Sequence, residues 1–426
     1  MKSAALCIDK PTLQNRETGF VTDYTKQAIL NRLKSLRHGE LVIIDGDERY
    51  VFGKKDRIFP KSVTVTVTDP AFYTRVLMQG ALGGGEAYIN GCWQCDDLTA
   101  MVELFLCNRQ HIGKIGPGMK WLVKPVQLLQ RFLRRNSLKG SRRNIEAHYD
   151  LGNELFELFL DDTMMYSCGI FSHPHVTLQE ASEAKLETIC RKLQLKPTDH
   201  VLEIGTGWGG FALYAARHYG CQVTTTTISK QQYDYARKRI REAGLEGRIN
   251  LRFDDYRELS GSYDKLVSIE MIEAVGHRYF DTYFSKCSEL LKPDGMMLLQ
   301  SITIADQRYP AAKNSIDFIQ RYIFPGGCLP SNAALGDAIA RNTDMRIFHL
   351  HDIGPHYATT LRHWRKRFFA NIEKVYQLGY PEQFIRMWEY YLAYCEGGFR
   401  QQVIGTVQLL LVKPQCRRNP LTGAEY

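Results

Sequence analysis

The sequence predicts an α/β protein, a mostly parallel, doubly wound sheet preceded by a small α+β module. Three observations carry that expectation. Strand-like and helix-like runs alternate through the second half of the chain, the order that builds a parallel sheet covered by helices. A glycine-rich turn, Gly205, Gly207 and Gly210, joins the first of those strands to a helix. The chain has 426 residues, 44% hydrophobic and 24% charged, which allows two domains of ordinary globular composition.

Residues 1–110 read as an N-terminal α+β domain, with lipid association as a candidate role. Its strand-like runs are "LVIID" at 41–45 and "SVTVTV" at 62–67, and "PAFYTRVLMQGALGGGEAYINGCW" reads as a helix, a glycine-rich turn and a second helix. At the N-terminus Asp9 interrupts any apolar core of signal-peptide length, so a cytoplasmic chain is expected. No run approaches the roughly 18 apolar residues of a membrane-spanning helix. The 11 cysteines are scattered, which suits reduced thiols better than a disulfide framework. Cys92 and Cys95 have no second pair or histidine pair nearby, so no metal site is expected.

Residues 111–143 read as a basic amphipathic linker. Between Glu103 and Glu146 there is no acid, while Arg109, Lys114, Lys120, Lys124, Arg131, Arg134, Arg135, Lys139, Arg142 and Arg143 carry ten positive charges, the whole of the net +9. Leu128, Leu129, Phe132 and Leu133 form an apolar helical face opposite Gln130, Arg131, Arg134 and Arg135. Two readings stand: an anionic membrane surface, where each basic residue contributes about 1 kcal/mol, or a solvated linker whose leucines dock on the protein. No nucleic-acid module accompanies the charge, and no nucleic-acid partner is expected.

From Asn144 to the end the pattern is that of the α/β domain. A helix around Leu178–Leu193 precedes "HVLEIGTGWGGFALYAARHYG", a strand, turn and helix. Then come the strand "QVTTTTI", a helix starting at Ser229, the strands "INLRF" and "KLVSIEM", a helix through Leu291, the strand "GMMLLQSIT" and a late strand "TVQLLLVK" expected to close the sheet edge.

The spacing G-x-G-x-x-G alone is shared by several cofactor classes. A dinucleotide site expects an acid about twenty residues on, and here that stretch reads Thr224-Thr225-Thr226-Thr227-Ile228-Ser229. Glu203 instead sits directly before the glycines, as Glu-Ile-Gly-Thr-Gly, the pattern of the first motif of S-adenosylmethionine methyltransferases. The expected fold is therefore a Rossmann-like class I methyltransferase domain over 144–426.

"HYDLGNELFELFLDDTMMYSCGIF", "KLQLKPTDHVLEIGTGWGGFALYAA", "TISKQQYDYA", "HRYFDTYFSKCSELLKPDGMMLLQSITI", "YIFPGGCLPS" and "HYATTLRHWRKRF" together resemble the cyclopropane-fatty-acyl-phospholipid synthase family, which includes the mycolic acid cyclopropane synthases. "GALGGGEAYINGCWQCDDL" extends the resemblance into the N-terminal module. The resemblance implies methyl transfer from S-adenosylmethionine to the cis double bond of an unsaturated phospholipid acyl chain, closing a cyclopropane ring at the inner face of the membrane. It also implies bicarbonate as proton acceptor, caged by Cys168, Glu273, Gln300, Ile302 and Tyr357, with Cys395 as a further candidate. For the cofactor it implies Tyr166 and Ser167 at the methionine part, Glu203, Gly205 and Gly207 beside them, Thr227 and Gln232 at the ribose and Tyr256 at the adenine.

Two departures stand out: Gln300 where many members carry histidine, and Ala274 where histidine follows the glutamate. A plant-type branch shares the Leu-Gln reading. Other members of this scaffold make a methyl or methylene branch or methylate a small amine, and a non-catalytic lipid-binding protein is the reading from another class. A homodimer is a candidate assembly.

Overall fold

The computed structural model describes residues 17–112, 151–421 and 423. Nearly all of the basic linker, and the start of the domain expected from Asn144, lie outside these residues. The described chain clusters into two compact units, residues 17–97 with 107–112, and residues 98–106 with the chain from 151 onward. The helix Leu98–Cys107, read above as part of the N-terminal module, thus falls almost wholly in the second unit.

The first unit is built on a four-stranded sheet of order β2-β1-β3-β4. β1 (Gly39–Asp45) and β2 (Glu48–Lys54) form a hairpin, while β3 (Ser62–Val67) runs parallel to β1 and β4 (Trp93–Cys95) antiparallel to β3. Val63, Val65 and Val67 are buried and their threonine neighbours half-buried, the period-2 alternation of a sheet with one covered face. The glycine run expected as a turn is helical instead. The chain breaks at Gly80, with φ +61°, between helices Ala71–Gln79 and Ala81–Ile89. A Cβ on Gly83 would lie 2.0 Å from the Arg75 carbonyl oxygen, so the glycine lets two helices touch rather than turning the chain.

The second unit carries a seven-stranded sheet of order β10-β11-β9-β8-β5-β6-β7. β5 (His200–Ile204), β6 (Gln222–Thr226), β7 (Ile249–Arg252), β8 (Tyr263–Ile269) and β9 (Leu291–Ile304) pair in parallel. β11 (Ile404–Val412) is antiparallel to β9, but it is not the edge: β10 (Arg346–Asp352) lies outside it. That strand, "RIFHLHD", is half exposed along its length, so it lacks the apolar run that marks the interior strands.

Both faces of the sheet are covered. Leu202, Leu266, Met297, Leu299 and Leu409 enter one core cluster, and Val201, Val267, Met296, Leu298 and Leu410 the other. Successive residues of each strand point to opposite faces, which is why these strands read as unbroken apolar runs. The chain order leaves β5 and β8 adjacent where the winding reverses, and ligands of open α/β sheets bind beyond the carboxyl ends of the strands at such a point.

Candidate active site

β5 ends at Ile204, and the chain turns through Gly205, Gly207 and Gly209 at φ +104°, +53° and +89° before the helix Gly210–Tyr219. These are backbone angles that favour glycine. A Cβ on Gly207 would meet nothing within 4 Å, whereas one on Gly210 would lie 2.5 Å from Met165 Sδ and 2.7 Å from the Thr163 carbonyl oxygen. Gly207 therefore borders open space where a ligand can approach the backbone, and Gly210 admits the segment that leads into Tyr166.

Glu203 is buried at the end of β5 and accepts from Thr225 Oγ1 at 2.6 Å. Burial pushes its carboxyl up to about 8. Thr227 Oγ1 donates to Gln232 Oε1 at 2.9 Å, and Ser229 caps the helix Lys230–Glu242 through the Gln232 N–H. Among the described residues this arrangement leaves the Gln232 amide N–H groups unbonded beside β6, a neutral donor set that suits ribose hydroxyls. Tyr256 packs in a core cluster, edge-on to Tyr283 at 5.3 Å, and its buried hydroxyl has no partner among the described residues. The open space at Gly207 and the Thr227–Gln232 pair fit S-adenosylmethionine.

The segment from Met164 to Ile170 is tied down at almost every residue. Met164 has φ +57°. Tyr166 pairs its hydroxyl with that of Tyr391 at 2.8 Å, and Ser167 Oγ accepts from Lys185 Nζ at 2.8 Å. Gly169 N–H donates to Thr360 Oγ1 at 3.1 Å. The Cys168 thiol is fully buried, within 3.6 Å of the Ile353 carbonyl oxygen. Burial, with the Glu270 charge adding to it, pushes that thiol well up, so it stays protonated and is no nucleophile.

The expected cage residues do come together, around a residue the sequence reading passed over. The strand read as "KLVSIEM" ends at Ile269, and Glu270 turns off it at φ +49°. Glu270 Oε1 accepts from Cys168 N–H at 2.9 Å and from Gln300 Nε2 at 2.8 Å; Oε2 accepts from the Tyr357 hydroxyl at 2.6 Å. Behind Gln300, Gln408 Nε2 donates to Gln300 Oε1 at 3.0 Å and Lys192 Nζ to Gln408 Oε1 at 2.9 Å. Burial pushes the Glu270 carboxyl up, against the pull of its three donors and of Lys185.

Glu273 holds the remaining cage group, Ile302, together with Ser301. Its Oε1 accepts from Ile302 N–H at 2.5 Å and Ser301 Oγ at 3.0 Å, while Oε2 is buried without a partner among the described residues. Burial, then the neighbouring Glu270, push this carboxyl up to about 8. Cys395 lies on the helix Glu382–Arg400, its thiol hydrogen-bonds to none of the cage residues, and burial and Asp317 raise it.

Bicarbonate does not fit this arrangement. The donors of Cys168, Gln300 and Tyr357 are bound to one carboxylate and that of Ile302 to another. A further anion would add charge to a buried site whose donors are already engaged.

Two buried lysines were also missed. On the helix Leu178–Leu193, Lys185 and Lys192 are fully buried in the stripe that includes Leu178, Ala181, Ser182 and Ile189. Burial lowers them to about 8 and about 7. Their seven-residue spacing on an apolar face was the available signal.

The sequence profile of the mycolic acid cyclopropane synthetase family matches residues 136–409. The tuberculostearic acid methyltransferase UfaA1 of Mycobacterium tuberculosis is 37% identical over 396 residues, covering 91% of each chain. The cyclopropane-fatty-acyl-phospholipid synthase of Escherichia coli is 37% identical over 347 residues, covering 81% of this chain and 87% of the relative. The structure of mycolic acid cyclopropane synthase CmaA1 complexed with SAH and CTAB superposes with a TM-score of 0.60 at 31% identity, over 64% of this chain and 98% of that one. The glycine turn, the doubly wound sheet and these matches agree: the chain belongs to the mycolic acid cyclopropane synthetase family and is an S-adenosylmethionine-dependent methyltransferase.

Proposed function

We propose that the chain methylates the cis double bond of an unsaturated acyl chain within a phospholipid and closes a cyclopropane ring there. The observation that carries the reading is a buried pair of carboxylates, Glu270 and Glu273, beyond the end of β8, beside the glycine turn and an aromatic wall. S-adenosylmethionine, when bound, supplies an electrophilic methyl group. Gly205 and Gly207 would hold its amino-acid part with Tyr166 and Ser167, and Thr227 and Gln232 its ribose.

An alkene is a weak nucleophile, so the site must exclude water, align the double bond and shelter the cation that forms. The Tyr166 ring lies 5.1 Å from Trp364 and 6.2 Å from Phe324, and Tyr357 stacks on Phe399 at 4.4 Å. Aromatic faces attract cations and keep water out. Ring closure then needs a base, which a buried carboxylate supplies.

The basic stretch that includes Arg131, Arg134 and Arg135 supports a peripheral site of action on an anionic membrane surface. Among the described residues no helix is long and apolar enough to cross a membrane. Incubation with mono-unsaturated phospholipid vesicles and methyl-labelled S-adenosylmethionine tests the proposal. Label in acyl chains, with cyclopropane ring protons, supports it; label in a methyl branch assigns the other lipid product; absence of labelled lipid sinks the lipid reading.

A further inference from the structure

The two carboxyls of the pair differ in their hydrogen bonds. A backbone N–H can only donate, so Glu270 Oε1 accepts from Cys168. Gln300 could in principle present either face of its amide. Its orientation follows from the groups behind it: Lys192 Nζ faces Gln408 Oε1, which turns the Gln408 NH2 toward Gln300 Oε1 and hence the Gln300 NH2 toward Glu270. The Tyr357 hydroxyl, kept protonated by burial beside Glu270, donates to Oε2. Both Glu270 oxygens are therefore acceptors, as in a carboxylate. Glu273 differs, because its Oε2 is buried with no partner among the described residues, an oxygen free to carry a proton. Neighbouring carboxyls in unlike environments divide into an ionised and a neutral partner.

The placing of Glu270 is itself constrained. A non-glycine residue at φ +49° is strained, and here the strain turns its side chain onto the donors of Cys168, Gln300 and Tyr357. We propose that Glu270 is the proton acceptor of ring closure, its own carboxylate filling the position that an external anion would otherwise take. The inference rests on the cyclopropanation reading above.

In the reaction the alkene electron pair forms the bond to the methyl carbon while the carbon–sulfur pair stays on sulfur, leaving a cation on the substrate. A C–H bond of the new methyl group then breaks. Its electron pair closes the third side of the ring, and its proton goes to a Glu270 carboxylate oxygen and on to solvent as the product leaves. The positive charge that entered with the sulfonium thus departs as that proton, and no oxidant or reductant is needed.

Two measurements on the full-length protein test the proposal. In the first, turnover on mono-unsaturated vesicles is compared in carbon-dioxide-depleted buffer and in buffer with added bicarbonate. Wild type is expected to change by less than about 2-fold, and Glu270→Gln to fall at least about 100-fold, the scale of a lost general base, with S-adenosylmethionine affinity unchanged. A wild-type rate that collapses on depletion, or Glu270→Gln at near-normal turnover, overturns it.

In the second, 13C-bicarbonate binding is followed by NMR, which needs no turnover and so separates this proposal from the substrate reading. Wild type is expected to bind none, and Glu270→Gly, which vacates the position, to bind it and regain part of its activity with added bicarbonate. Binding to wild type, or to neither protein, overturns the proposal. If the glycine variant fails to fold, Glu270→Ala takes its place in both arms.

Discussion

Cys168 contributes its backbone more than its sulfur. Its N–H holds Glu270 at 2.9 Å, and its thiol rests near the Ile353 carbonyl in a fully buried position. Cys168→Ser keeps the N–H and exchanges one small donor for another. Turnover is expected to fall by no more than about tenfold, corresponding to one modest hydrogen-bond change, in steady-state assays with S-adenosylmethionine saturating. A folded, cofactor-binding variant with no turnover would return chemistry to the thiol. Glu270 was as visible in "SIEMIEAVG" as Glu273, but the strand boundary was read two residues late. A residue counted inside a strand is assigned to a sheet face, and the left-handed turn that carries Glu270 into the site has no propensity signal in a glutamate.

Two glycines of one turn have different tasks at the scale of the element. Gly210 is packed against Met165 and Thr163, while Gly207 faces open space. Gly210→Ala forces either the Met165 side chain or the backbone at Thr163 to move. It is expected to destabilise the fold by about 1 to 3 kcal/mol, as overpacking does, read as a lower midpoint in urea. Gly207→Ala carries only the strain of φ +53°, about 1 kcal/mol, but should weaken S-adenosylmethionine binding in calorimetry more than it lowers stability. Equal effects on both readouts in both variants would contradict the division.

The alternation of strands and helices, the glycine turn and the Ser229 cap were all legible because each depends on local pattern. β10 was not, since "RIFHLHD" lacks an apolar run, and neither was the glycine-bearing helix Ala81–Ile89, whose glycines serve a tertiary contact.

Over the whole molecule, four buried titratable groups give stability a pH dependence with two opposed limbs. Glu203 and Glu273 are raised from 4.5 to about 8. Their contribution is fully present below the unfolded value and is lost as pH rises through the folded one. Lys185 and Lys192 are lowered from 10.5 to about 8 and about 7. Their contribution is present above 10.5 and lost as pH falls through those values. The four groups together place a stability minimum between about pH 7 and 8. Urea midpoints measured from pH 5 to 10 are expected to trace it, with Glu273→Gln shallowing the acid limb and Lys192→Met the alkaline one. Variant curves parallel to wild type would show that these groups titrate normally in the fold.

The family and the sheet followed from motifs and periodicity, whereas the arrangement of the candidate site did not. Gln300 and Tyr357 were expected around one anion, but both donate to Glu270, and the direction of the Gln300 donor depends on Lys192 and Gln408, which come from a helix and a strand far away in sequence.

The central claim is that the methyl carbon ends in a ring on a phospholipid acyl chain. Vesicles of a mono-unsaturated phospholipid, methyl-13C S-adenosylmethionine and NMR of the extracted lipid test it most directly. The expected result is a labelled ring methylene carbon bearing two inequivalent protons, with loss of the olefinic signals. A labelled methyl carbon, or unlabelled lipid from protein that binds the cofactor, would contradict it.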